Sequence, residues 1–264
     1  MYEDMGVKFY NNDGEERECT ALMKELGLDA VRFRVWVDPS KHGNWNSKED
    51  LLAKAKRAND LGMAIMVDFH YSDFWGDPIP DSLGRVTILE SVGHLRNNPS
   101  QYAGLFSAGY DAVKSVFPKA QVIVHLDNGF HQPLYDSNLD TLKKYGARWD
   151  IIGMSLYPYW ALDSGLETDE EETINHCIAN INHVWEKYHT PVMIVETGFE
   201  VDESRPEIME KGRDQLRRII RESKATGHCE GIFYWEPECR PNQYKLGAFD
   251  SEGKPTAIMN GFHE

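Results

Sequence analysis

The sequence is short of positive charge, of cysteine and of long apolar runs, and each shortage argues against a class of function. Lys and Arg number 28 against 43 Asp and Glu, a net charge of −15. Phosphate recognition needs a basic surface, so this balance argues against nucleic acid as a partner. A neutral ligand such as a glycan fits it. No stretch approaches the ~18 apolar residues that read as a transmembrane helix. The opening Met1-Tyr-Glu-Asp-Met-Gly is acidic and polar, unlike a secretory leader. The four cysteines, Cys19, Cys177, Cys229 and Cys239, show no paired short spacing. They read as free thiols, with no metal knuckle and no disulfide framework. No G-x-G-x-x-G or P-loop follows any expected strand, which weakens nucleotide-binding readings.

What is present is a regular alternation. Helices are expected over 14–26, 47–61, 99–116, 138–145, 168–188 and 209–225, with Ser47 and Asp50 forming a capping box for the second. Asp169, Glu170, Glu171 and Glu172 suit the positive end of the fifth helix. Strands are expected over 30–36, 63–71, 121–127 and 150–157, and from Pro191 and Gly231. Strand–helix alternation with short connections means a parallel sheet. The 264 residues suit one large α/β domain, since barrels of roughly 250 residues are common.

Polar and aromatic residues gather at the carboxyl ends of these strands. They are Arg34 and Trp36; Asp68, His70 and Tyr71; His125 and Asp127; Ser155, Tyr157 and Trp160; Glu196; and Trp235 and Glu236. That end of a parallel sheet carries the chemistry in α/β proteins. Glu196 closes the apolar run Pro191-Val-Met-Ile-Val-Glu, and Glu236 closes a similar one. An acid so placed, beside aromatic rings, suits a glycosidase nucleophile. The competing reading is a carboxylate that caps a strand and pairs with an arginine. Trp36, Trp75, Trp160 and Trp235 are candidates for packing on the C–H face of a sugar, and core filling is the alternative for each.

Five segments together resemble one family. They are Val31-Arg-Phe-Arg-Val-Trp-Val-Asp-Pro, Val67-Asp-Phe-His-Tyr-Ser-Asp-Phe-Trp-Gly-Asp-Pro, Ile152-Gly-Met-Ser-Leu-Tyr-Pro-Tyr-Trp, Val195-Glu-Thr-Gly-Phe and Tyr234-Trp-Glu-Pro. The set is similar to the arabinogalactan endo-β-1,4-galactanases, retaining (β/α)₈-barrel glycosidases of clan A. The resemblance implies Glu196 as nucleophile and a sugar cleft lined by His70, Tyr157, Trp160 and Trp235, with Arg34 holding the carboxylate network. It implies a galactan or arabinogalactan substrate, a secreted, periplasmic or cell-surface location, and no organic cofactor. Some relatives bind calcium near the last loops. Asp250 and Glu252 could supply oxygen ligands here, but two acids in such a segment also make an ordinary solvated turn.

The resemblance also has gaps. The family's first strand has no counterpart, and its fourth strand ends in a Gly-Asn-Glu whose Glu is the acid/base. No Asn-Glu pair occurs in this chain. The stretch 79–98 stands where that unit belongs. It reads either as a strand over Val86-Thr-Ile-Leu-Glu-Ser-Val, with Glu90 as a replacement acid, or as a helix on the spacing of Leu83, Val86, Leu89, Val92 and Leu95. The expected fold is therefore a single TIM-barrel-like domain over 1–264, altered at 79–98, with about six to seven strands. Glu196 and Glu90 are its candidate catalytic pair, and Arg34, Trp36, His70, Trp75, His125, Asp127, Tyr157, Trp160, Trp235 and Glu236 its candidate sugar contacts. A glycan-binding barrel without turnover, and an inactive truncated or engineered barrel, are the alternatives. Open sheet edges point to a homodimer.

Overall fold

A computed structural model describes residues 3–40, 43–70 and 98–263 of the chain. Two compact units emerge: Met1–Phe9 with Glu16–Tyr102, and Tyr10–Glu15 with Ala103–Glu264. Two short strands, β1 (Phe9–Tyr10) and β2 (Glu16–Arg17), flank a turn. There the Asn11 side chain accepts the N–H groups of Asp13 and Glu15.

The first unit continues with helix α1 (Cys19–Glu25), strand β3 (Ala30–Val35), helix α2 (Lys48–Asp60) and strand β4 (Ala64–Phe69). The sequence places the start of α1 at Gly14, but the helix begins five residues later. Gly14 has φ of +82°, a left-handed conformation that belongs to a turn. Glu18 supplies the cap instead, accepting the Ala21 N–H at 2.8 Å. Helix α2 starts as its capping box dictates, with the Ser47 hydroxyl accepting the Asp50 N–H. Asp50 turns back to the Asn46 N–H and forward to Lys54. Strands β3 and β4 pair in parallel from Ala30 opposite Ala64 to Val35 opposite Phe69.

In the second unit the order is helix α3, strand β5 (Ile123–Leu126), helix α4 (Gln132–Lys144), strand β6 (Ile151–Leu156), short helix α5 (Pro158–Asp163), helix α6 (Glu170–Tyr188), strand β7 (Val192–Thr197), helix α7 (Pro206–Ala225) and strand β8 (Cys229–Ile232). Helix α3 spans Pro99–Val116, and its first turn counts with the first unit. The four strands form one parallel sheet in the order β5-β6-β7-β8. Strand β6 is its centre, buried along all six residues, as expected of a parallel strand covered on both faces. Six parallel strands are thus present among the described residues.

Helices α4 and α7 begin earlier than the spacing of apolar residues indicates. Each has a proline in its first turn, where a missing N–H costs nothing. Asn138, expected near a helix start, lies inside α4 and bonds the Leu134 carbonyl. Helix α6 opens at Asp169, whose carboxylate caps the Glu172 N–H at 2.9 Å. Helix α5 is unexpected from sequence and again has a proline in its first turn, Pro158. All four cysteines are free thiols. Among the described residues no helix is long and apolar enough to cross a membrane.

Candidate active site

The pairing of β7 with β6 has one irregularity, and it organises the site. Met154 pairs with Ile194, but the next residue of β6, Ser155, pairs with Glu196, so Val195 is extra. A bulge of this kind re-aims the side chains beside it. Here it brings Ser155 and Glu196 together at the carboxyl end of the sheet. Gly153 makes room: a Cβ there would meet Ile123 at 2.9 Å and Val195 at 3.1 Å. Gly198, two residues past Glu196, is equally constrained by the Leu246 carbonyl and the Tyr157 ring.

Around half-buried Glu196 the hydrogen bonds have a direction. The Ser155 hydroxyl donates to Glu196 Oε2 at 3.2 Å, and the Tyr157 hydroxyl donates to the same oxygen at 3.3 Å. Ser155 Oγ also lies 2.8 Å from His125 Nε2. With its proton given to Glu196, that hydroxyl accepts from an Nε2–H of His125. The Glu196 carboxylate is thus oriented by two hydroxyls, one of them fixed by a histidine. Such supported placement is what a reacting carboxylate needs.

The end of β5 is fixed as firmly. The Gly129 N–H donates to the Ser155 carbonyl at 2.7 Å, the Tyr135 hydroxyl donates to the Leu126 carbonyl, and the Asn180 amide donates to the Gly129 carbonyl, each at 2.8 Å. Asp127 sits on this anchored stretch, accepting the Asn128 N–H. Desolvation pushes its carboxyl above the usual value, and the charge of Glu196 adds to this. The Asn128 N–H and His125 oppose it. The residue keeps an exposed side, so the crowding is local rather than full burial.

Aromatic residues surround this core. Trp160, on α5, is 39% exposed and meets Tyr159 edge-on at 4.8 Å. The Trp235 N–H donates to the Thr197 carbonyl, which ties the segment after β8 to the end of β7. Glu236 follows with φ of 46°, a conformation uncommon outside glycine and worth attention near a site. Tyr244, which no sequence pattern singles out, joins these groups. Burial raises its hydroxyl, as do the charges of Glu236 and Glu196, against polar contacts with Trp160 and Tyr157.

The first unit carries its own cluster. Asp68 accepts Arg32 at 2.8 Å and lies 2.9 Å from His70 Nε2. Trp36 is 6% exposed, edges the His70 ring at 4.7 Å, and has the Arg34 guanidinium 5.8 Å from its centroid. Arg32 is a cation partner of Asp68. Trp75 and Glu90 lie outside the described residues. Among the described residues no cluster of three or more His, Cys, Asp or Glu could hold a metal. Asp250 instead accepts the N–H groups of Glu252 and Lys254, and Glu252 pairs with Lys254, which makes an ordinary polar turn.

Parallel strands alternating with helices, carrying an oriented carboxylate and aromatic rings at their carboxyl ends, define a glycosidase-type (β/α)₈ protein. The chain belongs to Glycosyl hydrolase family 53, whose profile it matches over residues 1–82 and 85–260. It is 25% identical to the endo-β-1,4-galactanase of Bacillus subtilis over 300 aligned residues, covering 90% of this chain and 68% of that protein. It is 26% identical to the arabinogalactan endo-β-1,4-galactanase A of Emericella nidulans over 293 aligned residues, covering 89% of this chain and 81% of that one. A solved fungal β-1,4-galactanase superposes with a TM-score of 0.79 at 21% identity, covering 99% of this chain and 95% of its own. That likeness establishes the barrel-type fold.

Proposed function

We propose that the chain hydrolyses β-1,4-galactan or arabinogalactan with retention of configuration, with Glu196 as nucleophile. The observation that carries this is the convergence of the Ser155 and Tyr157 hydroxyls on Glu196 Oε2. Attack at the anomeric carbon gives a glycosyl-enzyme ester, which water then hydrolyses. Trp160 and Trp235 offer apolar faces for galactose rings, and Tyr157, Glu236, His125 and Asp127 offer hydrogen-bonding groups at the same end of the sheet. The first unit carries its own candidate sugar contacts, His70 and Arg34, with the buried Trp36 ring edging His70. Chemistry by two carboxylates requires no cofactor. The polymeric substrate favours a location outside the cell.

The reaction also needs an acid for the leaving oxygen. The family's Gly-Asn-Glu is absent, and the galactanase alignments run longer than the 264 residues of this chain. We read 79–98 as an altered segment in an otherwise single barrel domain, because the family profile breaks between residues 82 and 85. General acid catalysis contributes about 10²–10⁴-fold. Galactan turnover therefore depends on a group that supplies this proton, whereas an aryl galactoside with a good leaving group needs it less. Release of galacto-oligosaccharides from linear galactan tests the proposal. Galactan affinity without any product favours the glycan-binding alternative.

Ile65, Val67 and Phe69 of β4 are exposed on one face, and such apolar surface favours association between chains. Light scattering is expected to give a dimer. A monomer that binds no hydrophobic dye would rule this out.

A further inference from the structure

The reaction lacks an assigned proton donor, and the second unit holds a carboxyl at the right place. Strands β5 and β6 pair with His125 opposite Gly153 and Leu126 opposite Met154. The Gly129 N–H to Ser155 carbonyl bond keeps the chain end of β5 against Ser155. Asp127 thus lies beside Ser155 on one side, as Glu196 does on the other. Along a strand, residues two apart share a face, so Asp127 shares the face of His125, whose ring reaches the Ser155–Glu196 pair. Neighbouring strands are about 4.8 Å apart. Two strands set the backbones of Asp127 and Glu196 near 10 Å apart, and side chains leaning over one cleft shorten that gap toward the separation of a retaining carboxyl pair, about 5–5.5 Å.

We infer that Asp127 is the general acid/base of this chain, standing in for the absent Gly-Asn-Glu carboxyl. The inference rests on the reading of Glu196 as nucleophile. In the first step a Glu196 oxygen bonds to the anomeric carbon. The bond from that carbon to the glycosidic oxygen breaks, and the Asp127 carboxyl gives its proton to that oxygen. In the second step water attacks the anomeric carbon, its proton returns to Asp127, and the bond to Glu196 breaks to restore the carboxylate. A proton donor of this kind must hold its proton near neutral pH and reach a ligand. In Asp127 the affinity for a proton is raised and one side is open to a ligand. Desolvation is the larger cause of the raised affinity, and the charge of Glu196 adds to it. Asp136, Asp150, Asp202 and Glu222 are instead lowered by hydrogen bonds from lysine, arginine, histidine or hydroxyl partners. Its exposed side leaves it open to a leaving-group oxygen, and the anchors from Tyr135 and Asn180 fix the backbone that carries it.

The test compares Asp127→Ala, Asp127→Asn and Glu90→Gln with the unchanged protein, using linear galactan, dinitrophenyl β-galactoside and added azide. Galactan turnover is expected to fall about 10²–10⁴-fold in both Asp127 variants. The dinitrophenyl substrate needs no acid to depart. In Asp127→Ala its turnover is expected to recover with azide, giving β-galactosyl azide. Asp127→Asn preserves shape, so a loss of galactan turnover there separates proton transfer from folding. Two results would overturn the assignment: full galactan turnover in both Asp127 variants, or the azide signature appearing in Glu90→Gln instead. So would an unchanged protein that is labelled at Glu196 by a fluorogalactoside inactivator yet inert towards galactan. Failure of that label despite aryl-galactoside turnover would remove the nucleophile reading itself.

Discussion

Strands β4 and β6 are alike in composition and opposite in surroundings. Ala64-Ile-Met-Val-Asp-Phe and Ile151-Ile-Gly-Met-Ser-Leu are both apolar runs with one polar residue near the end. Strand β6 is flanked by β5 and β7 and buried throughout. Among the described residues β4 has one strand partner, β3, and half-exposes the face of Ile65, Val67 and Phe69. An apolar run therefore records what a strand was built to bury, and the covering elements decide whether it does so. The acids at the two strand ends differ in the same way. Asp68 has the Arg32 guanidinium and the His70 ring beside it, and Glu196 has the Ser155 and Tyr157 hydroxyls that orient it.

The largest expected effect separates those two acids. Glu196→Gln should cut turnover of aryl galactosides on the order of 10⁴-fold or more, as loss of a nucleophile does, while keeping galactan affinity. Asp68→Asn should lose far less rate. Comparable losses would erase the distinction between the two strand ends. A second effect contrasts two isoleucines. Ile152 is fully buried and Ile65 is 40% exposed. Ile152→Ala should cost about 2–5 kcal/mol in urea unfolding, and Ile65→Ala about 1 kcal/mol or less. Equal costs would show that β4 is buried in solution as well as β6 is.

A smaller effect concerns how the second sheet is covered. Asp136 of α4 meets His183 and Lys187 of α6, each at 2.8 Å. Partial burial would raise its carboxyl, but these hydrogen bonds prevail and lower it from 3.8 to about 2. A depressed folded value means stabilisation present above the ordinary value and lost as pH falls through the folded one. The window is therefore about pH 4 down to 2. Solvent screens this pair, so the loss should be at most about 1 kcal/mol. Asp136→Asn should flatten stability against pH in that window, and an unchanged slope would remove the pair from the account.

Much of this was legible in the chain. Ser47 marks the start of α2 because a cap is a local interaction. Glu196 stands out because it ends an apolar run. Other features depend on neighbours distant in sequence. The extra residue Val195 exists only relative to β6, so the pairing of Ser155 with Glu196 could not be read from β7. Tyr244 lies in a polar loop without periodicity, and only the fold brings it to Trp160 and Tyr157. The raised carboxyl of Asp127 arises from desolvation first and then from Glu196, 69 positions along the sequence. The early starts of α4 and α7 are marked in the sequence by Pro133 and Pro206, whereas apolar spacing alone places them later.

The central claim is that Glu196 is the nucleophile, oriented by Ser155 and Tyr157. A dinitrophenyl 2-deoxy-2-fluoro-β-galactoside traps a nucleophile as a stable ester without needing an acid. After reaction, mass spectrometry of the digested protein should find one fluorogalactosyl group on the peptide carrying Glu196, and none in Glu196→Gln. A label on Glu236, or aryl-galactoside turnover with Glu196 unmodified, would contradict the claim.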